Sequence, residues 1–530
     1  MCYLVKANRY NAFGHHMDAY FFEFSLDFEL HIWYNISVTY GYIVEAIMGI
    51  PDEIKAKKPN DYGAVEIRNI SGHYYVYEIS SRWDPQKQKA RKVTGKAVGK
   101  ITLNDGFIPN AYGVRKITPL HPIVKNYGVY EILRQLSGNL TDRLKENFPD
   151  IYREISVIAM LRLATGCRGD RIKREFEASY LNDLHPDLTC SSYTVRNLIQ
   201  KLGVRRGDME SFMKSYIKPG AKLMFDGTSI FTRAQDSYAV KGYNPEHSQD
   251  TQIRLLYIFD RKAYTPVFFR MIPGNIADKS ALVETVAISG CNNCLIVADK
   301  GFYSKVNLSF LMEKKLSFIL PLQYNTKLIS NEFASNIDDH KFDGRFVYKN
   351  RIIWFKKEKT GNNGNYLYIF RDDQRKSQEE VKFLQKKEAN YEMTEDAGLF
   401  DDNRRGMFAF VSNLDKPAKE IYLSYKERWD IEQCFDYLKN SVHIGAAYKR
   451  TNDELEAWSF VNHISLLYFY GVVKALRDKA LNEDYTPEDI LAIGKNIYRV
   501  RNHYHSSDNR VSEITKADKE LLDTLGVKIE

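Results

Sequence analysis

Between residues 218 and 322 the chain alternates short apolar runs with stretches of helical period. KLMF (222–225), TQIRLLYIFD (251–260) and PVFFRMIP (266–273) predict three strands in a meander, with a short turn around Asp260–Thr265. A helix is predicted over Asp278–Ile288, a short apolar strand over Leu295–Ala298, a helix over Ser304–Lys314 and a strand over Leu316–Leu322. This order predicts an α/β fold: a mixed sheet with helices on its faces.

Residues 323–405 interrupt that pattern. RFVYKNRIIWFKK (345–357) and NYLYIFR (365–371) read as strands around a Gly/Asn turn at 361–364, and a charged helical piece follows over Ser377–Asn390. The stretch predicts a β-rich insertion, with Lys349, Arg351, Lys356 and Lys357 as a basic face able to meet DNA. Met407–Ser412 is strand-like and returns to the sheet. Ala418–Asn440 reads as one helix, with apolar Trp429, Ile431, Phe435 and Leu438 turned to pack on the sheet. Residues 453–478 and 487–500 predict a helical C-terminal region spanning 451–530.

The N-terminal part divides in three. Residues 1–47 lack a period, and Met48 opens a conventional start. Either this extension is translated from upstream of the natural start codon, or it is real and packs on the body. Residues 48–115 form a small basic β-rich unit: a hairpin over 64–80, a run of Lys87, Lys89, Arg91, Lys92, Lys96 and Lys100 without an intervening acid, and a strand over Lys100–Leu103. Residues 116–217 are mostly helical, with apolar residues at helical spacing over Ile155–Leu163. Ser192–Gly203 carries an N-cap, an apolar face and a C′ glycine. Its exposed Arg196, Asn197, Gln200 and Lys201 are residue types that contact bases and phosphates, and equally suit any surface helix.

The formal charge of +8 over 530 residues is too small to prove nucleic-acid binding by itself. The six cysteines, one pair of them a CxxC at Cys291 and Cys294, lack a second ligand pair for zinc. That pair leads into a strand, so a buried, inert role is expected. No apolar run approaches the ~20 residues of a membrane span, and no signal peptide is evident. A cytoplasmic, nucleoid-associated protein is the expectation.

Candidate chemistry rests on carboxylates. Asp226 and Asp299 each follow an apolar strand, and glycine follows closely at Gly227 and Gly301. A carboxylate at a strand end with close backbone approach suits a metal and a phosphate; a turn former or helix cap would look the same. Tyr425, Arg428, Glu432 and Lys439 sit at offsets that place all four on one helical face. The bland alternative is an Arg428–Glu432 surface pair worth a few tenths of a kcal/mol.

Asp226-Gly227-Thr228, Asp299-Lys300-Gly301-Phe302-Tyr303, the Pro273-Gly274-Asn275 loop with Asp278 after it, and the phrase Tyr425-Lys426-Glu427-Arg428-Trp429-Asp430-Ile431-Glu432 together resemble the bacterial insertion-sequence DDE transposases that carry a Tyr–Arg–Glu–Lys signature. The similarity runs from about Val65 to the C-terminus. Gly227 departs from it, since many relatives carry a second Asp there.

The resemblance implies a ribonuclease-H-like core over 218–322 and 406–450, with the insertion before the glutamate. It implies that Asp226, Asp299 and Glu432 are catalytic and hold two Mg²⁺, with Mn²⁺ as a substitute. Tyr425, Arg428, Lys439, Lys300, Arg196 and Lys201 are the expected DNA contacts. Implied partners are double-stranded DNA, transposon terminal inverted repeats and target DNA, met by a homodimer on DNA. The implied activity is cleavage at transposon ends followed by strand transfer of the 3′-hydroxyl. His247 and His463 are expected to be structural or to contact DNA. The competing readings are a nuclease that only hydrolyses and a transposase-derived DNA-binding protein without activity.

Overall fold

The computed structural model describes residues 50–530 except 85–86, 117–121, 233, 235, 237, 242–250, 277, 323–340, 361–363, 390–403, 443–448 and 503–504. The 1–47 extension and His247 lie outside the described residues. The chain divides into two compact units, one ending at His121 and one beginning at Pro122.

The first unit is a four-stranded antiparallel sheet in the order β1 (Val65–Ile70), β2 (His73–Asp84), β3 (Lys89–Thr102), β4 (Gly106–Pro109). Ser71 and Gly72 both adopt positive φ in the first turn, as a tight two-residue hairpin needs. Val65, Ile67, Val76, Val98 and Ile101 close a small core with Ile54 and Tyr62. The third strand begins at Lys89 rather than Lys100, so the basic run after Lys87 is itself strand. Its charged residues stay exposed while its backbone groups pair with β2.

The second unit opens on β5 (Ile123–Asn126). Its main sheet is built from β6 (Lys222–Phe231), β7 (Gln252–Asp260), β8 (Thr265–Pro273), β9 (Leu295–Ala298), β10 (Ser317–Pro321), β11 (Gly344–Tyr348), β12 (Arg351–Thr360), β13 (Asn365–Asp372) and β14 (Met407–Ser412). The strand order is β11-β12-β13-β14-β10-β9-β6-β7-β8. β6, β9 and β10 run parallel, and the remaining neighbours are antiparallel. The mixed α/β sheet expected from sequence is present. The strands expected as the body of an insertion hydrogen-bond through β13 onto β14, so they continue the main sheet instead of forming one of their own.

β15 (Tyr498–Asn502) and β16 (His505–Val511) join β5 in a three-stranded sheet. The expected helix over 487–500 therefore ends early: helix spans Pro487–Lys495, and the chain turns to pair with β5.

The 27-residue helix Asn452–Asp478 is buried on nearly every side, as a helix apolar all round must be. Polar groups tie it to the helix Tyr152–Thr165: Ser156 Oγ lies 2.6 Å from the Tyr468 hydroxyl, and Arg162 donates to Asn462 Oδ1 at 2.8 Å. Both helices share one continuous core with the main sheet. The helix Ser192–Gly203 is capped by Ser191, one residue earlier than expected. Gly203 is not a left-handed terminator; a Cβ there would stand 2.8 Å from the Asp453 carbonyl oxygen. Among the described residues no helix is long and apolar enough to cross a membrane.

Candidate active site

β6 and β9 set the site. They pair in parallel from Lys222 opposite Leu295 to Phe225 opposite Ala298. The next residues along the chain are Asp226, still in β6, and Asp299, just past the end of β9. Asp226 is not at a strand end, as its sequence suggested; β6 continues to Phe231 against β7, with Asp226 opposite Tyr257. What ends there is the parallel pairing with β9. Beyond it the chain leaves β9 through a 3₁₀ turn at Lys300–Phe302.

The third acid arrives on a broken helix. Ala418–Lys426 and Trp429–Asp436 are separate helices, joined at Glu427 and Arg428 by tightened bonds: Arg428 N–H to the Tyr425 carbonyl at 3.0 Å and Ile431 N–H to the Arg428 carbonyl at 3.0 Å. Tertiary ion pairs hold both sides of the joint. Glu427 pairs with Lys222 at the start of β6, and Asp430 pairs with Arg261 at 2.5 Å. Ile431, Cys434 and Leu438 are buried beneath it. Trp429, expected to pack on the sheet, is 63% exposed. A π-helical turn at Tyr437–Ser441 follows.

Arg428 occupies the joint and gathers the acids. Its guanidinium lies 2.6 Å from Asp226 Oδ2, 2.5 Å from Glu432 Oε1 and 3.7 Å from Asp299 Oδ1. The Tyr425 hydroxyl donates to Asp299 Oδ1 at 3.3 Å, and its ring packs 4.5 Å from that of Phe410. Gly227 N–H donates to Asp226 Oδ1 at 2.8 Å. Burial would push the Arg428 guanidinium down, but Asp226, Tyr425, Asp299 and Glu432 around it raise it above its ordinary value. Burial pushes Tyr425 up to about 12, with Arg428 opposing and Asp299 adding to the rise. Tyr425 therefore keeps its proton at neutral pH and remains a donor.

Three carboxylates share one guanidinium, so the formal charge of these four side chains together is negative. Among the described residues no group of three or more His, Cys, Asp or Glu already stands in metal-ligating geometry. The donor set itself fits a hard divalent cation: carboxylate oxygens from β6, from the residue after β9 and from one helix, already sharing one cationic partner.

A cavity of about 420 Å³ opens beside the acids. Lys300, Arg375, Arg404, Lys426 and Arg428 line it, against Asp299 as its one acid, with Phe408 and Phe410 in its wall. Burial lowers the Lys426 ammonium, and repulsion from Arg351 and Arg375 adds to this. Arg428 is taken up by the three acids and Arg375 by Glu379 at 2.7 Å, so the positive charge the wall offers an anion comes chiefly from Lys300 and Lys426.

The other expected DNA contacts lie elsewhere. Lys439 is exposed in the π-helical turn and shares no ion pair with the three acids among the described residues; Asp436 takes the Asn440 amide at 2.6 Å instead of Lys439. The break and the π turn replace the single helical face expected over 425–439. Arg196 is exposed, while Lys201 is tied to Asp150 at 2.6 Å. On the insertion strands Arg351 pairs with Asp372, Lys356 with Glu358 and Lys357 with Asp415. His463 is fully buried against Tyr257 and Phe269 and has no part in the cluster. Cys291 and Cys294 are free; burial pushes the Cys291 thiol up to about 12, consistent with an inert pair. Arg375 and Arg404 were missed by sequence reasoning. The one available signal was Arg404-Arg405 standing just before the apolar Met407–Ser412 run.

Residues 219–468, which contain the whole cluster, match the family of transposase DDE domains, and this match supports a DDE transposase. The chain is also similar to a piggyBac transposase in a cryo-EM structure of its synaptic complex with hairpin DNA. That similarity is 12% in sequence, spans 69% of this chain and 76% of the other, and has a TM-score of 0.39. No curated protein matches the chain at a significant level.

Proposed function

We propose that the chain is a cut-and-paste DNA transposase of the insertion-sequence kind, with Asp226, Asp299 and Glu432 as its catalytic acids. The observation that carries this reading is the gathering of all three carboxylates on Arg428, at the place where β6 and β9 part, inside the matched transposase domain. Two Mg²⁺ or Mn²⁺ ions held by those acids would supply Lewis-acid stabilisation of the attacking and leaving oxygens of a phosphodiester. The chain's own groups bind and orient the strand. Arg428 offers a planar fork to a phosphate, and Tyr425 a hydroxyl that stays protonated. Lys300 and Lys426 draw the backbone toward the acids from the cavity side. Lys439 can meet a phosphate further along the strand. Bringing two transposon ends together would take a homodimer on DNA.

The test uses the full chain and linear DNA carrying the inverted repeats that bracket its reading frame. With Mg²⁺ or Mn²⁺, cleavage at the repeat boundary and joining of the freed 3′ end to a second duplex are expected. Asp226→Asn, Asp299→Asn and Glu432→Gln should each abolish both while end binding persists. Cleavage surviving in all three variants would overturn the assignment. Cleavage without joining would leave a nuclease that only hydrolyses.

A further inference from the structure

The N-terminal unit carries a feature that the catalytic cluster does not use. β1 pairs with β2 only as far as Glu78, opposite Val65. β2 and β3 continue past it as a two-stranded ribbon, from Ser80 opposite Val93 to Asp84 opposite Lys89. Five residue pairs at ~3.4 Å each make an overhang of about 17 Å before the turn. The major groove of DNA is about 8.5 Å deep and admits a two-stranded ribbon, so the overhang is long enough to enter one. Register irregularities between Val76 and Ile79 lie at its base, where bulges add twist.

Charge on the ribbon is one-sided. It holds Arg82, Lys87, Lys89, Arg91 and Lys92 against Asp84. Lys92 is neutralised by Glu66 at 2.6 Å, but among the described residues no ion pair joins Arg82, Lys87, Lys89 or Arg91 to a carboxylate. Arg82 stands directly opposite Arg91. Cross-strand partners share one face of the sheet, and like charges placed so destabilise it. The free protein thus carries a repulsion that an anion between the two guanidiniums would turn into attraction. On the other face Trp83 is 63% exposed, opposite Ala90. A large bare aromatic beside unpaired arginines is a poor solvated surface and a good nucleic-acid contact.

We propose that the ribbon Ser80–Asp84/Lys89–Val93 is a DNA-binding arm: Arg82 and Arg91 grip one backbone phosphate of a duplex, Lys87 and Lys89 add charge near the turn, and Trp83 lies against the sugar or base edge on the opposite face. The arm rests on the transposase reading only in taking the polyanion to be duplex DNA.

The full chain is titrated with a short duplex of arbitrary sequence across a range of salt, without divalent cations. Arg82→Ala/Arg91→Ala should lower the slope of log K against log salt by about one unit, the loss of one phosphate contact. Trp83→Ala should weaken binding several-fold at every salt concentration with the slope unchanged. Arg91→Glu replaces the repulsion by a cross-strand ion pair. Its Tm should match or exceed that of the parent while its duplex affinity falls below that of Arg91→Ala. Parental slope in Arg82→Ala/Arg91→Ala, or a lowered Tm in Arg91→Glu, would overturn the arm. Failure of the parent chain to bind any duplex would instead overturn the transposase reading.

Discussion

Asp226 in β6 and Asp299 just after β9 each stand one residue past the Phe225–Ala298 pair of these parallel strands. Both carboxylates meet the same Arg428 guanidinium, which Glu432 also reaches. The register of β6 against β9 therefore determines the acid cluster. A one-residue slip would turn one aspartate to the opposite face of the sheet. With three carboxylates brought onto one guanidinium, the cluster should bind divalent cations in the free protein. Mg²⁺ or Mn²⁺ is expected to raise Tm in proportion to the logarithm of its concentration above Kd. Asp226→Asn and Glu432→Gln should lose most of that rise, as followed by calorimetry with and without chelator. An equal rise in both variants would place the ions elsewhere.

Arg428 has a structural share as well as any phosphate contact. Arg428→Ala leaves three carboxylates facing one another. It should cost about 1–2 kcal/mol in urea unfolding, a figure discounted because Asp299 and Glu432 are about one-third exposed. Lys439→Ala should cost almost nothing in stability, since the residue is exposed and shares no ion pair with the acids. It should still reduce the salt slope of end binding by about one unit. If Lys439→Ala leaves the slope unchanged, that side chain is an ordinary solvated lysine.

The carboxylates were legible because each depends on a local pattern. Apolar runs announce β6 and β9, and the spacing of Tyr425, Arg428 and Glu432 links a glutamate to a cation. The break at Glu427–Arg428 was not legible, because every residue from Ala418 to Asp436 tolerates a helix. The break is fixed by Lys222 and Arg261, which come from distant strands. The same holds for β13. Nothing local in NYLYIFR says whether it founds its own sheet or adds to β14. Tyr498–Asn502 was hidden for a similar reason, since its partner β5 lies at the other end of the unit.

The Pro273-Gly274-Asn275 turn offers a test of a close approach. A Cβ on Gly274 would stand 2.1 Å from the Gln252 carbonyl oxygen, a backbone atom that cannot swing aside. The same turn is tied by Gly274 N–H to the Tyr238 carbonyl at 3.1 Å and by the Gln252 amide to the Gly274 carbonyl at 3.2 Å. Gly274→Ala should destabilise the protein by about 1–3 kcal/mol, because the end of β8 must move. Denaturant unfolding that shows no loss would mean the turn shifts freely.

His463 sets a pH dependence of stability. It is fully buried on the Asn452–Asp478 helix, with the rings of Tyr257 and Phe269 beside it. Among the described residues neither ring nitrogen has a hydrogen-bond partner, and burial pushes its pKa down to about 3 from an ordinary 6.5. Below pH 6.5 the unfolded chain takes up a proton at this histidine and the folded chain does not. Stability contributed by the neutral folded form is therefore complete above pH 6.5 and falls as pH drops, at about 1.4 kcal/mol per pH unit until pH approaches 3. Carboxylates also titrate in this range, so the parent curve alone cannot isolate the effect. His463→Phe removes the titration and keeps an aromatic ring in the core. Between pH 7.5 and 5 the parent should lose about 2 kcal/mol more than His463→Phe, whatever the repacking cost of the variant at neutral pH. Urea midpoints at the two pH values give the comparison. Parallel pH curves for the two proteins would mean that His463 is solvated or paired in solution.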